Sequence, residues 1–185
     1  MARPELRDLP LKRFTVDDVN RMVGAQCLDE QDRIELVDGY LVAVPEPSAR
    51  AAYTRHEVAT RLEATGIGAW VGQKRPIVAG TWDRPEADVV VVTAPHAAFA
   101  ARHPTGADVL LVVEIADGTH AYKRTKAAAF ALAGVPTLWI VDLLNQRVEV
   151  YERPRGAGWA TVRYFDEHDS VELAGVTWTV ASLLA

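Results

Sequence analysis

Two stretches of this chain have an apolar side chain at every position, and each is bounded by a carboxylate. Asp88 directly precedes the four valines of residues 89–92, and Glu114 directly follows residues 109–113. Runs without polar alternation are typical of strands that are covered on both faces. An ionised carboxylate at the end of such a strand is costly unless it is hydrogen-bonded, paired or bound to a metal. Two such acids that converge at one edge of a sheet could hold a divalent cation.

Shorter patterns predict the remaining elements. Asp38-Gly39 separates two apolar-rich segments within residues 33–44, which is typical of a tight antiparallel hairpin. Thr15 and Asp18 form a weak capping box that starts a helix ending near residue 23. Apolar stripes predict helices over residues 51–64 and 121–133. Strands are predicted over residues 69–72, 75–79, 87–92, 109–115, 138–142, 147–152, 159–165 and 171–179, before a short apolar tail at 180–184.

The order of these elements predicts the architecture. One helix connects the buried strands at 109–115 and 138–141, so this crossover should be right-handed and the two strands parallel. The whole order predicts a mixed central β-sheet flanked by helices, with an N-terminal β-hairpin and a β-rich C-terminal part. A length of 185 residues suits one compact α/β or α+β domain over residues 1–185.

Charge and composition narrow the function classes. The chain has 25 acidic and 20 basic residues, so its net charge of −5 provides no global field that attracts nucleic acid. Nucleic-acid binding would need a local basic patch or an oligomer. Cys27 is the only cysteine, which excludes an internal disulfide and fits a reducing compartment. The N-terminal residues have no apolar signal region and no segment approaches a membrane span, so the sequence predicts a cytoplasmic protein.

Lys126 interrupts an apolar helix face. It shares that face with Tyr122 and Phe130, which should dock on the sheet. Two interpretations remain open: the stem packs while the ammonium reaches water, or the ammonium belongs to a functional site. The neighbouring Lys123 and Arg124 are predicted to point elsewhere and to be solvated, where they could contact phosphate beside the site.

Glu35 and the histidines give weaker signals. Glu35 alternates with Ile34 and Leu36, so strand periodicity favours a solvent-facing side chain. His56 lies beside the apolar stripe of a helix, where a single histidine is usually a packing residue. The five histidines show no ligand spacing such as H-E-x-x-H, which argues against a histidine-based zinc site.

Taken together, these residues resemble a known family. The matching segments are Glu-Leu-Val-Asp-Gly at 35–39, His56, Asp88 with the valines after it, Val-Glu-Ile at 113–115, Lys126, and Gly-Val-Pro-Thr-Leu-Trp-Ile-Val-Asp at 134–142. Their order over about residues 14–184 resembles the Uma-two family, restriction-endonuclease-like proteins of the PD-(D/E)XK nuclease superfamily. The resemblance implies a restriction-endonuclease-like fold, an Asp and a Glu that bind Mg²⁺ or Mn²⁺, and a lysine beside the attacking water.

Three departures from the family pattern bear on this site. The family's Pro-Asp is Ala87-Asp88 here, which should leave the carboxylate in place. The usual Ser-Pro after the glutamate region is Ala116-Asp117, and Tyr122 stands where an aspartate often lies four residues before the lysine. The loss of that acid puts a second metal position in doubt, although Asp117 could substitute for it.

The leading hypothesis is therefore a divalent-metal-dependent endonuclease that hydrolyses the phosphodiester bonds of DNA. Asp88, Glu114 and the Ile115 carbonyl would hold Mg²⁺ or Mn²⁺, and Lys126 and Glu35 would be catalytic. A homodimer is expected, because cutting two strands commonly needs two sites.

Two alternatives stay open: a non-catalytic binding or regulatory module on a nuclease-like scaffold, and a structural domain whose buried acids are merely hydrogen-bonded. If the two carboxylates repel each other, neutralising either should leave the metal-free fold intact or slightly more stable.

Overall fold

The computed structural model describes residues 11–29, 32–118 and 120–184. The helices are α1 Val16–Gly24, α2 Ala49–Thr65, α3 His120–Leu132 and α4 Val180–Leu183. The strands are β1 Ile34–Val37, β2 Tyr40–Ala43, β3 Trp70–Pro76, β4 Glu86–Val92, β5 Val109–Ala116, β6 Thr137–Asp142, β7 Arg147–Arg155, β8 Gly158–Asp166, β9 Ser170–Leu173 and β10 Val176–Thr179. Short 3₁₀ turns at His96–Phe99 and Gly106–Asp108 precede β5.

The centre of the molecule is a six-stranded mixed sheet. Its strand order is β3-β4-β5-β6-β7-β8, so each strand neighbours its predecessor in the chain. All pairs are antiparallel except β5 and β6, which α3 connects. The sequence-based predictions of a mixed sheet and of one parallel crossover are therefore confirmed.

Two small hairpins lie outside the central sheet. The first, β1-β2, turns at Asp38 and Gly39, whose φ angles of 49° and 76° suit a type I′ turn. The second, β9-β10, corrects the prediction of one strand over residues 171–179, because Ala174 and Gly175 have positive φ and reverse the chain. The two strands predicted over 69–72 and 75–79 are instead the single strand β3.

The helix ends follow their sequence signals. Thr15 caps α1 in a complete capping box with Asp18, as predicted. The hydroxyl of Ser48 accepts from the amide of Ala51 at the start of α2, and Gly66 ends that helix in the left-handed conformation. Within the described residues, no helix is long and apolar enough to cross a membrane.

Each face of the sheet has its own apolar core. One core joins α2, α4 and the β9-β10 hairpin to odd-numbered positions of β4 and β5, such as Val89 and Val113. The other joins α3 to the even-numbered positions, such as Val90 and Val112. Because strand side chains alternate, Asp88 and Glu114 belong to the face that α3 covers. This parity brings both carboxylates beneath one helix.

The close approach of Gly106 to the end of α3 generates a test of this packing. A Cβ atom at Gly106 would lie 1.9 Å from the Ala133 carbonyl oxygen, so backbone must move to admit alanine. We expect Gly106→Ala to lower the free energy of unfolding by about 1–3 kcal/mol, measured by urea denaturation. Gly158→Ala is the matched control, since its Cβ would meet an ordinary contact at 3.7 Å. Equal effects of the two substitutions would contradict the close packing.

Candidate active site

Strand register sets three charged residues in a row across the sheet. Val89 pairs with Val113, and continuing that antiparallel register by one residue sets Asp88 opposite Glu114. On the other side, Gln73 and Arg75 pair with residues 89 and 87, so Lys74 lies opposite Asp88. Lys74 Nζ donates to Asp88 Oδ1 at 2.6 Å. The row Lys74, Asp88, Glu114 therefore follows from the register.

Lys123 lies between the two predicted metal ligands. Its Nζ donates to Asp88 Oδ2 at 2.6 Å and to Glu114 Oε2 at 2.5 Å, and the residue is 7% exposed. The prediction that Lys123 is solvated and points away is therefore wrong. The signal was present in the sequence, because Lys123 and Lys126 are three residues apart and share a helix face. Arg124 is half-exposed, and its guanidinium bonds to Glu149 at 2.8 Å.

Lys126 lies beneath Glu114 and is 1% exposed. Its Nζ is 3.0 Å from Glu114 Oε1 and 3.2 Å from Glu35 Oε2, and it also donates to the Glu86 carbonyl. This burial excludes the interpretation in which the Lys126 ammonium reaches water. Lys126 therefore links the central sheet to the β1-β2 hairpin.

Glu35 is buried, against the prediction from alternation. It is 5% exposed, and its Oε2 accepts from the amide of Glu86 at 2.8 Å. The reason is tertiary: the Arg84 amide donates to the Leu36 carbonyl, which docks β1 on the segment that leads into β4. Docking covers the side of β1 that would otherwise face water.

Six residues thus form a carboxylate–lysine cluster, defined as Glu35, Asp88, Glu114, Lys74, Lys123 and Lys126. Three carboxylates meet three ammonium groups there. Lys74 is the most exposed member, and its Nζ also lies 3.4 Å from the half-buried carboxylate of Glu86. The pairing explains how carboxylates at the ends of buried strands are tolerated.

The cluster changes the protonation of its members. Burial opposes the ionisation of Asp88, but the ammonium groups, Lys123 foremost, outweigh it and hold the pKa of Asp88 below its ordinary value. Burial raises the pKa of Glu114 although Lys123 and Lys126 oppose that rise. The carboxylates, Glu114 foremost, raise the pKa of Lys123 and of Lys126 against the effect of burial. Burial therefore disfavours the charge of Glu114 in spite of its two ammonium neighbours.

The other predicted participants lie at different distances from the cluster. The Ile115 amide donates to Asp88 Oδ2 at 2.9 Å, and because both backbone groups of a strand residue face the same neighbour, the Ile115 carbonyl is also on the Asp88 side. Asp117 accepts from the Ser48 hydroxyl. The Tyr122 hydroxyl is buried without a well-aligned hydrogen bond to any described residue, and burial with the nearby Glu35 raises its pKa. His56 is exposed on α2.

A small cleft that is open to solvent leads to the cluster. Asp88, Ile115 and Lys123 line it, whereas Glu114 and Lys126 do not. Its remaining lining comes from the residue before β1, the β2–α2 connection, α2, β3, the β5–α3 connection and α3, as Arg33, Val44, Pro45, Glu46, Pro47, Ser48, Ala51, Arg55, Lys74, Asp117 and Tyr122. The cleft therefore presents cationic side chains together with carboxylates to an incoming molecule.

The ligand set suits a hard cation only in part. Among the described residues, no three His, Cys, Asp or Glu side chains group closely enough to hold a metal. Asp88 and Glu114 nevertheless converge on a single cation, the Lys123 ammonium. Mg²⁺ uses one or two carboxylates with waters and phosphate oxygens, so two carboxylates and a carbonyl meet its minimum.

Comparison with known proteins gives a family and a fold. The sequence model of the family described as "Uma2: Putative restriction endonuclease" matches residues 17–182. None of the curated proteins matches the chain. A solved structure titled "a putative nuclease belonging to DUF820 from Anabaena variabilis" is similar over 92% of this chain and 97% of that chain, with a TM-score of 0.68 and 14% identity. This likeness confirms the predicted restriction-endonuclease-like fold.

The cluster reverses one expectation about stability. Neutralising a carboxylate leaves an ammonium group buried without its partner, which costs more than any repulsion it relieves. We expect Asp88→Asn, at the carboxylate whose pKa the ammonium groups lower, to lower the free energy of unfolding of the metal-free protein by on the order of 3 kcal/mol, measured by urea denaturation. Glu63→Gln, at an exposed site on α2, should change it by less than about 0.5 kcal/mol. An Asp88→Asn protein as stable as wild type would restore the view that the carboxylates repel.

Proposed function

The chain belongs to the Uma2 family, and we propose that it is a divalent-metal-dependent endonuclease that hydrolyses phosphodiester bonds of DNA. One observation carries the proposal: Asp88 and Glu114 converge on one cationic group, the Lys123 ammonium, beside a cleft that Asp88 and Lys123 line. The family description supports a nuclease, and the convergence supports the metal. Cutting both strands of a duplex would need two such sites, which a homodimer would supply.

Asp88, Glu114 and the Ile115 carbonyl are the groups that would hold Mg²⁺ or Mn²⁺. All are oxygen donors, which hard divalent cations prefer, and Asp88 is ionised at neutral pH because its pKa is lowered. A bound cation would supply electrostatic stabilisation as negative charge develops on the reacting phosphodiester. The protein's own contribution is to hold the two carboxylates in a fixed geometry at the end of two paired strands.

Lys126 and Glu35 were predicted to be catalytic, and we propose that they act by positioning. Neither lines the cleft, and Lys126 contacts the carboxylates of Glu114 and Glu35. Lys126 would thereby fix Glu114 against β4, while Glu35 fixes Lys126 and the Glu86 amide. Lys123 is the lysine of α3 that the cleft presents to substrate.

The cleft supports a polyanionic substrate despite the acidic balance of the whole chain. Arg33, Arg55, Lys74 and Lys123 line it beside the carboxylates of Glu46, Asp88 and Asp117, so cationic groups lie where a backbone phosphate would approach. Arg33 is already paired with Glu46 at 3.1 Å. The Nε atom of Arg55, by contrast, is buried and has no hydrogen-bond partner among the described residues. A buried donor without an acceptor is unfavourable, and a phosphate oxygen would satisfy it.

A non-catalytic binding module is the second candidate. It is favoured by the lack of a three-ligand metal group among the described residues and by the ammonium that already bridges Asp88 and Glu114. Such a module would keep the basic cleft and bind nucleic acid without cutting it. Cleavage separates the two candidates directly.

We expect purified wild-type protein to cut DNA in the presence of Mg²⁺ or Mn²⁺ and to lose this activity in chelator. Asp88→Asn should reduce the rate by on the order of 10² or more, because it removes a charge from the cation position. Gel electrophoresis of plasmid and linear duplex measures the rate, at a temperature where circular dichroism shows both proteins folded. Glu63→Gln should cut at the wild-type rate. Cleavage that persists in the presence of chelator would contradict the enzyme proposal. A wild-type protein that binds DNA but does not cut it would also contradict the proposal.

The basic wall of the cleft has its own test. In the presence of Ca²⁺, Arg55→Gln should weaken the binding of a short DNA duplex. The slope of log affinity against log salt concentration should become shallower by about one, because one phosphate contact is lost. Arg50→Gln is the matched control, since Arg50 is exposed on the same helix and does not line the cleft. Fluorescence anisotropy across a salt series measures both. If the two variants lose affinity equally, Arg55 contributes only general charge.

A further inference from the structure

Lys123 occupies the point at which Asp88 and Glu114 converge. Its ammonium is 2.6 Å from Asp88 Oδ2 and 2.5 Å from Glu114 Oε2. We propose, on the basis of the proposed function, that Lys123 occupies the cation position in the metal-free protein. When a divalent cation is bound by Asp88 and Glu114, the Lys123 ammonium would lie in the cleft and contact the substrate phosphate. Lys123 would then be a substrate-contacting residue that the family pattern does not assign.

The ammonium and a metal ion cannot share this position. Mg²⁺ binds oxygen at about 2.0–2.1 Å, so a cation held by both carboxylates would lie where the Lys123 Nζ now lies. A divalent cation beside an ammonium in a buried site is also strongly repelled. Either the metal stays out or the lysine leaves.

The surroundings allow the lysine to leave without dismantling the cluster. Lys123 is the α3 lysine that lines the cleft, so its flexible stem can carry the ammonium outward. After it leaves, Glu114 keeps Lys126 at 3.0 Å and Asp88 keeps Lys74 at 2.6 Å. Lys126 is 1% exposed and does not line the cleft, so it has no comparable route.

Charge balance gives the exchange a direction. The cluster's three carboxylates and the half-buried Glu86 carboxylate beside Lys74 face three ammonium groups, so a divalent cation that joined all three ammonium groups would give the site an excess of positive charge. Moving one ammonium into the cleft reduces that excess, and the negative charge of a phosphodiester placed beside it reduces it further. Metal and substrate should therefore favour each other's binding.

The four lysines of the chain provide an internal test in the wild-type protein. Acylation by an amine-reactive reagent, read by mass spectrometry, should label Lys123 at least about threefold faster with saturating Mn²⁺ than without it, because burial now shields its Nζ. Lys126 should stay protected, and the exposed Lys12 should be labelled equally in both states. Sodium chloride of equal ionic strength should not reproduce the change. Unchanged labelling of Lys123 at saturating Mn²⁺ would overturn the proposal.

Metal affinity provides the second measurement. Lys123→Met should bind Mn²⁺ at least about tenfold more tightly than wild type by calorimetry, because no ammonium has to be displaced. Lys74→Met also removes a positive charge beside Asp88 but empties no cation position, so it should tighten binding much less. Equal gains in the two variants, or no Mn²⁺ binding to either variant or wild type, would overturn the exchange. If Mn²⁺ exposes Lys123 but the protein never cuts DNA, this inference stands and the proposed nuclease activity is wrong.

Discussion

The contact on which this structure depends is the ammonium of Lys123 between Asp88 and Glu114. Strand register sets the two carboxylates opposite each other, and strand parity turns both toward α3. In an apolar interior that arrangement is tolerable only with positive charge placed between them. The helix that crosses over from β5 to β6 supplies that charge. The crossover is thus both the connection that makes the sheet mixed and the element that completes the site.

The choice of lysine is itself informative. Of the four lysines in the chain, three belong to the carboxylate–lysine cluster, while arginine supplies the other 16 basic residues. An ammonium is a compact charge on a flexible stem, whereas a guanidinium is a planar fork that prefers one carboxylate at a time. A position that must bridge two carboxylates suits lysine. Arginine serves instead at the periphery of α3, where Arg124 bonds to the buried Glu149 of β7 and helps to fix the helix on the sheet.

The same cluster joins stability to activity in the proposed enzyme. Glu35 arrives from the β1-β2 hairpin and bonds to the Glu86 amide, and Lys126 links it to Glu114. The hairpin, the sheet and α3 are therefore held by one set of ion pairs. In this site Glu114 is fully buried, whereas Lys123 reaches the cleft.

Local patterns in the sequence determined most of the secondary structure and half of the site. Unbroken apolar runs identified β4 and β5, and the carboxylates at their ends marked the site, because both signals act over a few residues. The predicted break within β3 and the missed turn at Ala174 and Gly175 were errors in the interpretation of local sequence patterns. Helix spacing alone was enough to associate Lys123 with Lys126, although that association was not predicted.

Only the tertiary structure decided the rest. Glu35 reaches Glu86 across 51 positions of the chain and Lys126 across 91, through a hairpin whose docking no local pattern encodes. Alternation within β1 describes a strand with one solvated face, and docking covers that face. The rotation of α3 on the sheet likewise selected which lysine meets the cleft and which lies beneath Glu114. The sequence by itself determined which charges are present near the strand ends, and long-range packing determined which of them meet, because burial and contact depend on distant segments.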